Sequence, residues 1–305
     1  MRREKINEKI FVPPLKIQGI KTKLVSLIKQ NMILENDTIW IELFMSSGVV
    51  DFNLTPVNAI FSDKNPHIIN FYNSIKNETI NSNIVKEFLK TEGEKLSKIG
   101  SEYYYQVRER FNEKTDSLDF LFLNRSCFNG MIRFNKKHEF NVPFCHKTER
   151  FSKAYITKIV NQILYIEKKL EICNWKFVNQ SFEKALSKIQ KNSFIYCDPP
   201  YIDRHVDYYD SWDENLEKLL YEKLLNSGVK FMLSTWHSNK YRKNEYIDKI
   251  WKFCNIIKKE HFYFVGAKEQ NRNSITETLL INYNTQLKIN KIKSEEKNMQ
   301  QLELF

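Results

Sequence analysis

Asp198-Pro199-Pro200-Tyr201 follows directly on Ser193-Phe194-Ile195-Tyr196-Cys197, and this junction constrains the chain more than any other part of it. The short apolar run reads as a buried strand. Prolines fix their own backbone angles, restrain the residue before them and remove amide donors. The strand therefore ends on a rigid edge where a carboxylate and unpaired carbonyls stand beside an aromatic ring. Such an edge suits a planar ring carrying an amino group. Asp198 and a carbonyl near Pro199 accept from the NH2, and Tyr201 stacks on the ring face. Adenine is the leading candidate.

The surrounding pattern places this edge in a sheet. Residues 38–44 (TIWIELF), 57–61 (VNAIF), 230–234 (KFMLS) and 277–283 (ETLLINY) read as further strands. Residues 66–75 read as a helix with proline in its first turn, and 153–172 carry apolar residues at helical spacing. Residues 214–226 read as an amphipathic helix closed by Gly228. Strand and helix alternate at both ends of the chain, which predicts an α/β sheet. From about 77 to 152 the rhythm breaks into a charged, aromatic and asparagine-rich stretch, read as an inserted module.

Lys and Arg number 48 against 37 Asp and Glu, a net charge of +11 over 305 residues. That excess favours a polyanionic partner, nucleic acid first, although a general lysine and asparagine bias accounts for part of it. Cys127, Cys145, Cys173, Cys197 and Cys254 are scattered, with no CxxC pair. Reduced thiols in a cytosolic compartment and no structural zinc are expected. No apolar run is long enough to span a membrane, and the first residues lack a signal-peptide core.

Open α/β sheets take ligands beyond the carboxyl ends of their strands. Besides Asp198, two strand ends carry suitable groups. Residues 42–48 (ELFMSSG) offer a small-residue turn where backbone can approach a ligand, and Asp63 stands where a carboxylate can take two ribose hydroxyls. There is no GxGxxG and no GxxxxGK[ST], so dinucleotide and triphosphate loops are not expected. In the middle module, residues 123–135 (LNRSCFNGMIRFN) combine an Asn-Gly turn signal with Arg, Asn and aromatic side chains. Arginine is the usual bidentate reader of guanine, and an aromatic such as Phe128 can fill a gap in a base stack.

Taken in this order, the motifs resemble the Dam-type (alpha-group) DNA adenine methyltransferases over most of the chain. Residues 15–21 (LKIQGIK) are similar to that family's N-terminal cofactor segment, (K/R)WxGxK; Gly19 and Lys21 match, and Ile17 replaces the tryptophan. Residues 42–48 resemble its EPFxGxG, with Leu43 for proline and Ser46 for the first glycine. Residues 62–66 (SDKNP) resemble its (N)DxNP, and 198–201 are its catalytic motif intact. Residues 123–135, followed by 138–145 (HEFNVPFC), resemble its target-recognition hairpin, with His138 and Cys145 at usual glycine positions.

The resemblance implies a Rossmann-like S-adenosylmethionine-dependent methyltransferase sheet with an inserted, mostly helical DNA target-recognition domain containing a β-hairpin. It implies a discontinuous core at 1–76 and 153–284, the insertion at 77–152 and a flexible tail at 285–305. The implied catalytic residues are Asp198, Pro199 and Tyr201. S-adenosylmethionine is the implied cofactor, with Gly19, Lys21, Glu42, Phe44, Gly48, Asp63 and Asp198 around it and no metal. Asn124, Arg125, Phe128, Asn129, Arg133, Asn135, Asn141 and Pro143 are the implied DNA contacts. The expected activity is methyl transfer to the exocyclic amine of an adenine flipped from double-stranded DNA, in the cytoplasm of a bacterium, alongside a restriction endonuclease or in a related system. Transfer to another amine (cytosine, RNA adenine) and a catalytically impaired DNA-binding module are the alternatives. The last residues, Gln301-Leu302-Glu303-Leu304-Phe305, are an apolar peptide after a polar linker. They resemble the bacterial sliding-clamp motif, through Gln301, Leu302, Leu304 and Phe305; a strand or patch folded back on the core is the competing reading.

Overall fold

A computed structural model describes residues 9–202, 212–262 and 274–285. Its strands are β1 Ile39–Glu42, β2 Asn58–Asp63, β3 Asn174–Asn179, β4 Ser193–Cys197, β5 Lys230–Asn239, β6 Asn255–Phe262 and β7 Ser274–Ile281. They follow the order β3-β2-β1-β4-β5-β7-β6 in a seven-stranded sheet. The β2–β3, β1–β4 and β4–β5 pairs are parallel, while β7 runs antiparallel to both β5 and β6. The α/β expectation holds. The described residues group into two compact units, one of residues 9–25 and 45–180, the other of 26–44, 181–202, 212–262 and 274–285.

In the second unit, every residue of β4 is buried, as expected of a central parallel strand covered on both faces. Trp40 of β1 stacks on Phe194 and Tyr196, with ring centroids 5.4 and 5.7 Å away. The helix Glu214–Asn226 starts where Asp213 accepts from the Leu216 amide at 2.9 Å. β5 extends five residues beyond the expected 230–234 stretch, and β7 begins three residues before the expected 277. β6 was not foreseen, because N-I-I-K-K-E-H-F has too little alternation to read as a half-buried strand.

In the first unit, Trp175 and Phe177 of β3 are buried beside Phe61, with centroids 5.4 and 5.5 Å from it. Trp175 Nε1 donates to the Pro56 carbonyl at 2.7 Å. The helix Pro66–Lys76 has Pro66 in its first turn and Asn65 as its cap. The middle stretch contains the helices Ser82–Ile99, Ser101–Lys114 and Ser117–Ser126, started by Asn81, Gly100 and Asp116, and is followed by the helix Lys153–Leu170.

The expected hairpin is only partly realised. Residues 127–144 make two isolated antiparallel bridges, Cys127 with Phe144 and Phe134 with Phe140, instead of a continuous ladder. Asn129 and Gly130 both take the left-handed conformation, φ 54° and 65°, as the Asn-Gly signal predicts. Pro143 brings no amide, and its carbonyl accepts from Phe128 at 2.8 Å. Arg133 spends two donors on Asn141, Nε to the side-chain oxygen at 2.8 Å and Nη2 to the carbonyl at 3.1 Å. Side-chain bonds therefore replace part of the ladder.

Candidate active site

The strand order turns back between β1 and β4, the position where open α/β sheets bind ligands. Both strands lie in the second unit. Glu42 is in register with Tyr196, and the Leu43 amide donates to the Tyr196 carbonyl at 3.2 Å. β4 then delivers Asp198, half-buried, before the buried Pro199 and the half-buried Tyr201. Ser234 of β5 donates its hydroxyl to Asp198 Oδ1 at 3.0 Å, and Ser234 Oγ lies 2.9 Å from the Tyr196 hydroxyl. Burial, with Asp198 and Glu42 adding to it, pushes the Tyr196 hydroxyl far above the ordinary phenol range.

Where β1 ends, Phe44 meets Phe182 at 5.8 Å and Trp212 edge-on at 5.5 Å, and those two rings are 5.6 Å apart. Glu217 beneath them accepts from the indole nitrogens of Trp212 and of the buried Trp251, the latter at 2.7 Å. Burial holds the Glu217 carboxyl above the usual carboxylate range. Phe182 and Trp212 escaped the sequence reading. Neither carries a local signal that it meets Phe44.

In the first unit, the turn after residue 44 is built around Asp63. Its Oδ2 accepts from the Ser46 amide and its Oδ1 from the Asn65 amide, both at 2.8 Å. Although the residue keeps some exposure, burial of its carboxyl raises the pKa against the pull of the Asn65, Ser46 and Lys64 amides. Gly48 has φ 72°, and a Cβ there would lie 2.5 Å from the Phe52 ring. Only glycine fits. Ser46 adopts φ 53° at the position where the resembling family carries glycine, so the turn survives that substitution in a strained residue. Gly19 also has positive φ, 76°, and the buried Lys21 donates to its carbonyl at 3.0 Å.

The proposed DNA-contacting residues of the same unit divide into two sets. Phe128, Asn129 and Pro143 are exposed, with Phe128 49% accessible. Arg133, Asn135 and Asn141 are half-buried beside them, and Asn135 donates to Glu139 at 2.8 Å. Asn124 and Arg125 point inward. Asn124 accepts from the Lys16 amide and donates to the Lys16 carbonyl, both at 2.8 Å. Arg125 is buried, donating to Gln162 and, at 3.3 Å, to Tyr155. Asn124 and Arg125 thus tie the end of the 117–126 helix to residue 16 and to the 153–170 helix, and the exposed set lies on the surface.

A sheet in this order, with β7 reversed and a carboxylate at the switch point, defines an open α/β protein of the kind whose ligands bind beyond the carboxyl ends of the strands. Residues 18–265 match the family model of the D12 class N6 adenine-specific DNA methyltransferases, and the chain belongs to that family. It is 32% identical over 302 residues to a type II methyltransferase of Methanocaldococcus jannaschii, M.MjaIII, covering 89% of this chain and 99% of that protein. It is 29% identical over 302 residues to a type II methyltransferase of Lactococcus lactis, covering 93% and 98%. A DNA adenine methylase of Haemophilus influenzae is 34% identical over 194 residues, 62% of this chain and 63% of that protein. The chain is thus a site-specific adenine DNA methyltransferase, and adenine is preferred over cytosine among the amines considered from sequence. Among the described residues, no helix is long and apolar enough to cross a membrane.

Proposed function

We propose that Asp198, Pro199 and Tyr201 hold an adenine flipped out of double-stranded DNA for methylation at its exocyclic nitrogen. The observation that carries this reading is the position of Asp198, which leaves β4 at the switch point of the sheet with its carboxylate bonded from β5. The adenine lone pair is delocalised into the ring, so the amine is a poor nucleophile. Asp198 and a carbonyl near Pro199 accept its two hydrogens and favour a more tetrahedral nitrogen. Tyr201 stacks on the ring. Asp198 need not remove a proton before transfer, because a neutral aromatic amine is far too weak an acid to give one up to a carboxylate. Rate enhancement then comes from positioning and electrostatics, with no metal in the scheme.

S-adenosylmethionine, when bound, supplies an electrophilic sulfonium methyl group. The residues present fit it. Asp63 offers a carboxylate for ribose hydroxyls, and Gly48, which no larger residue can replace against the Phe52 ring, holds the turn beside it. Phe44, with Phe182 and Trp212 around it, supplies apolar ring surface suited to a purine. Gly19, Lys21, Glu42 and Asp198 complete the proposed cofactor set. Phe128, Asn129, Arg133, Asn135, Asn141 and Pro143 form the proposed DNA-reading surface, and an enclosed Asn124 and Arg125 support it. Incubation with tritiated cofactor and unmethylated duplex DNA, followed by nucleoside analysis, should give label in N6-methyladenine. Label in cytosine would redirect the assignment, and cofactor binding without transfer would identify the impaired module.

The type II relatives favour a place in a restriction-modification system with a companion endonuclease. Gln301, Leu302, Leu304 and Phe305 lie outside the described residues; they are proposed to dock on a bacterial sliding clamp, raising the local concentration of DNA. Removal of residues 301–305 should abolish clamp pull-down and spare cofactor binding, and equal pull-down would dismiss the idea.

A further inference from the structure

The Asp198 carboxylate does not stand alone at the end of β4. Ionised, it can only accept hydrogen bonds, whereas a serine hydroxyl has a single proton to give. Ser234 gives that proton to Asp198 Oδ1 at 3.0 Å. The 2.9 Å contact between Ser234 Oγ and the Tyr196 hydroxyl must then be donated by Tyr196. The chain has one polarity: Tyr196 hydroxyl to Ser234 Oγ to Asp198 Oδ1.

The sheet sets this geometry. In the β4–β5 pair, Tyr196 lies opposite Met232 and Cys197 opposite Leu233, so the parallel register carries Ser234 to the level of Asp198. Side chains two apart share a face, which puts Tyr196 with Asp198 and Met232 with Ser234. Tyr196 and Ser234 are both fully buried, leaving no water to compete for their hydrogen bonds. The Tyr196 ring is clamped by Trp40, 5.7 Å away and only 17° from parallel. On its far side β5 is paired with β7, Ser234 opposite Leu279, so the serine backbone is held as well.

We propose that Ser234, itself oriented by Tyr196, is a positioning residue for methyl transfer: it fixes the rotation of the Asp198 carboxylate so that a defined lone pair meets the adenine amino group. This rests on the reading of Asp198 as the amino acceptor. Neither hydroxyl touches the substrate. A carboxylate free to turn about its Cβ–Cγ bond would satisfy the amine in many orientations, few of which favour a tetrahedral nitrogen. Pinning Oδ1 removes that freedom before the base arrives. The hydroxyls do not form an exit route for the proton released from the product. Tyr196 has no reason to ionise at working pH, being buried beside Asp198, and the chain delivers donors toward Asp198 and takes nothing from it.

The test is a double-mutant cycle on the full-length enzyme, read by single-turnover methyl transfer to duplex DNA and by the affinities for cofactor and DNA. Ser234→Ala should lower the transfer rate about 10–100-fold, the scale of a small misplacement of a reacting group, with both affinities within about twofold of the parent. Ser234→Thr, which keeps the hydroxyl, should recover most of the loss. Tyr196→Phe should cost less, roughly 3–10-fold, because the serine still donates. The double variant should be no slower than Ser234→Ala, since Tyr196 acts only through Ser234. An unchanged rate in Ser234→Ala overturns the proposal, as do fully additive losses or a fall in cofactor affinity that matches the fall in rate. If Ser234→Ala does not fold, Tyr196→Phe and Ser234→Thr decide by the same criteria. An active Asp198→Ala enzyme would instead sink the reading of Asp198, whereas an inactive one beside a fully active Ser234→Ala sinks only the role of the serine.

Discussion

Asp63 and Asp198 each stand where a parallel strand ends, yet they are held by different means. Asp63 is gripped by main chain, the amides of Ser46 and Asn65 reaching both of its oxygens. Asp198 is held by a side chain 36 residues further on, the Ser234 hydroxyl. Backbone amides survive every substitution except proline and need no rotamer, so the Asp63 turn is stiff and tolerates even Ser46 in a left-handed conformation. A side-chain bond can be tuned, and can be lost to a single substitution. The difference suits the two proposed roles, one carboxylate anchoring a cofactor that binds in a fixed pose, the other acting on an amine whose geometry changes during the reaction.

The largest expected effect comes from removing the acting carboxylate. Asp198→Ala should lower methyl transfer by at least roughly 10²–10³-fold, the scale seen when one preorganised polar group is lost. Calorimetry should find its cofactor affinity within a few-fold of the parent. Full turnover would contradict the mechanism. Asp63→Ala should show the opposite pattern, weakening cofactor binding about 10–100-fold through loss of hydrogen bonds to a charged group, with transfer at saturating cofactor much less affected. Equal damage to rate and affinity in both variants would erase the distinction between the two residues.

A smaller effect is expected at the recognition surface. Arg133→Ala should cost about 1–3 kcal/mol of discrimination at one guanine position, read by methylation of a panel of single-base variants. A uniform loss over all sequences with a shallower salt dependence would make Arg133 a phosphate contact. The smallest effect separates stability from chemistry. His67 is stacked on Phe134, 4.7 Å away, and burial, then His138, lowers its pKa to about 4. Because the fold favours the neutral ring, its contribution is complete above the ordinary histidine value of about 6.5 and is lost as pH falls from there toward about 4. The melting temperature should drop by a few degrees over that window, and less in His67→Phe. A His67→Phe profile identical to the parent would remove this residue from the account.

Much of this could be read from local pattern. The apolar run before Asp198 had to be a buried strand, and its prolines had to end it. Asp63, Asn65 and Pro66 form a strand end and helix start within four residues, as the Asn65 cap confirms. Asn129 and Gly130 carry the left-handed turn that their identities predict. Within residues 123–135, which side chains face inward was not legible. Asn124 and Arg125 belong to the same motif as Arg133, and no spacing rule reveals that they face inward while Phe128 faces solvent.

The sequence by itself determined the strand ends, the turns beside them and the family, because each depends on residues a few positions apart or on a motif order visible along the chain. Only tertiary structure decided which side chains serve those ends. Ser234 reaches Asp198 across 36 residues, and Asn124 clasps Lys16 across 108. Such pairings depend on strand register and helix packing, where a shift of one residue turns a side chain to the opposite face.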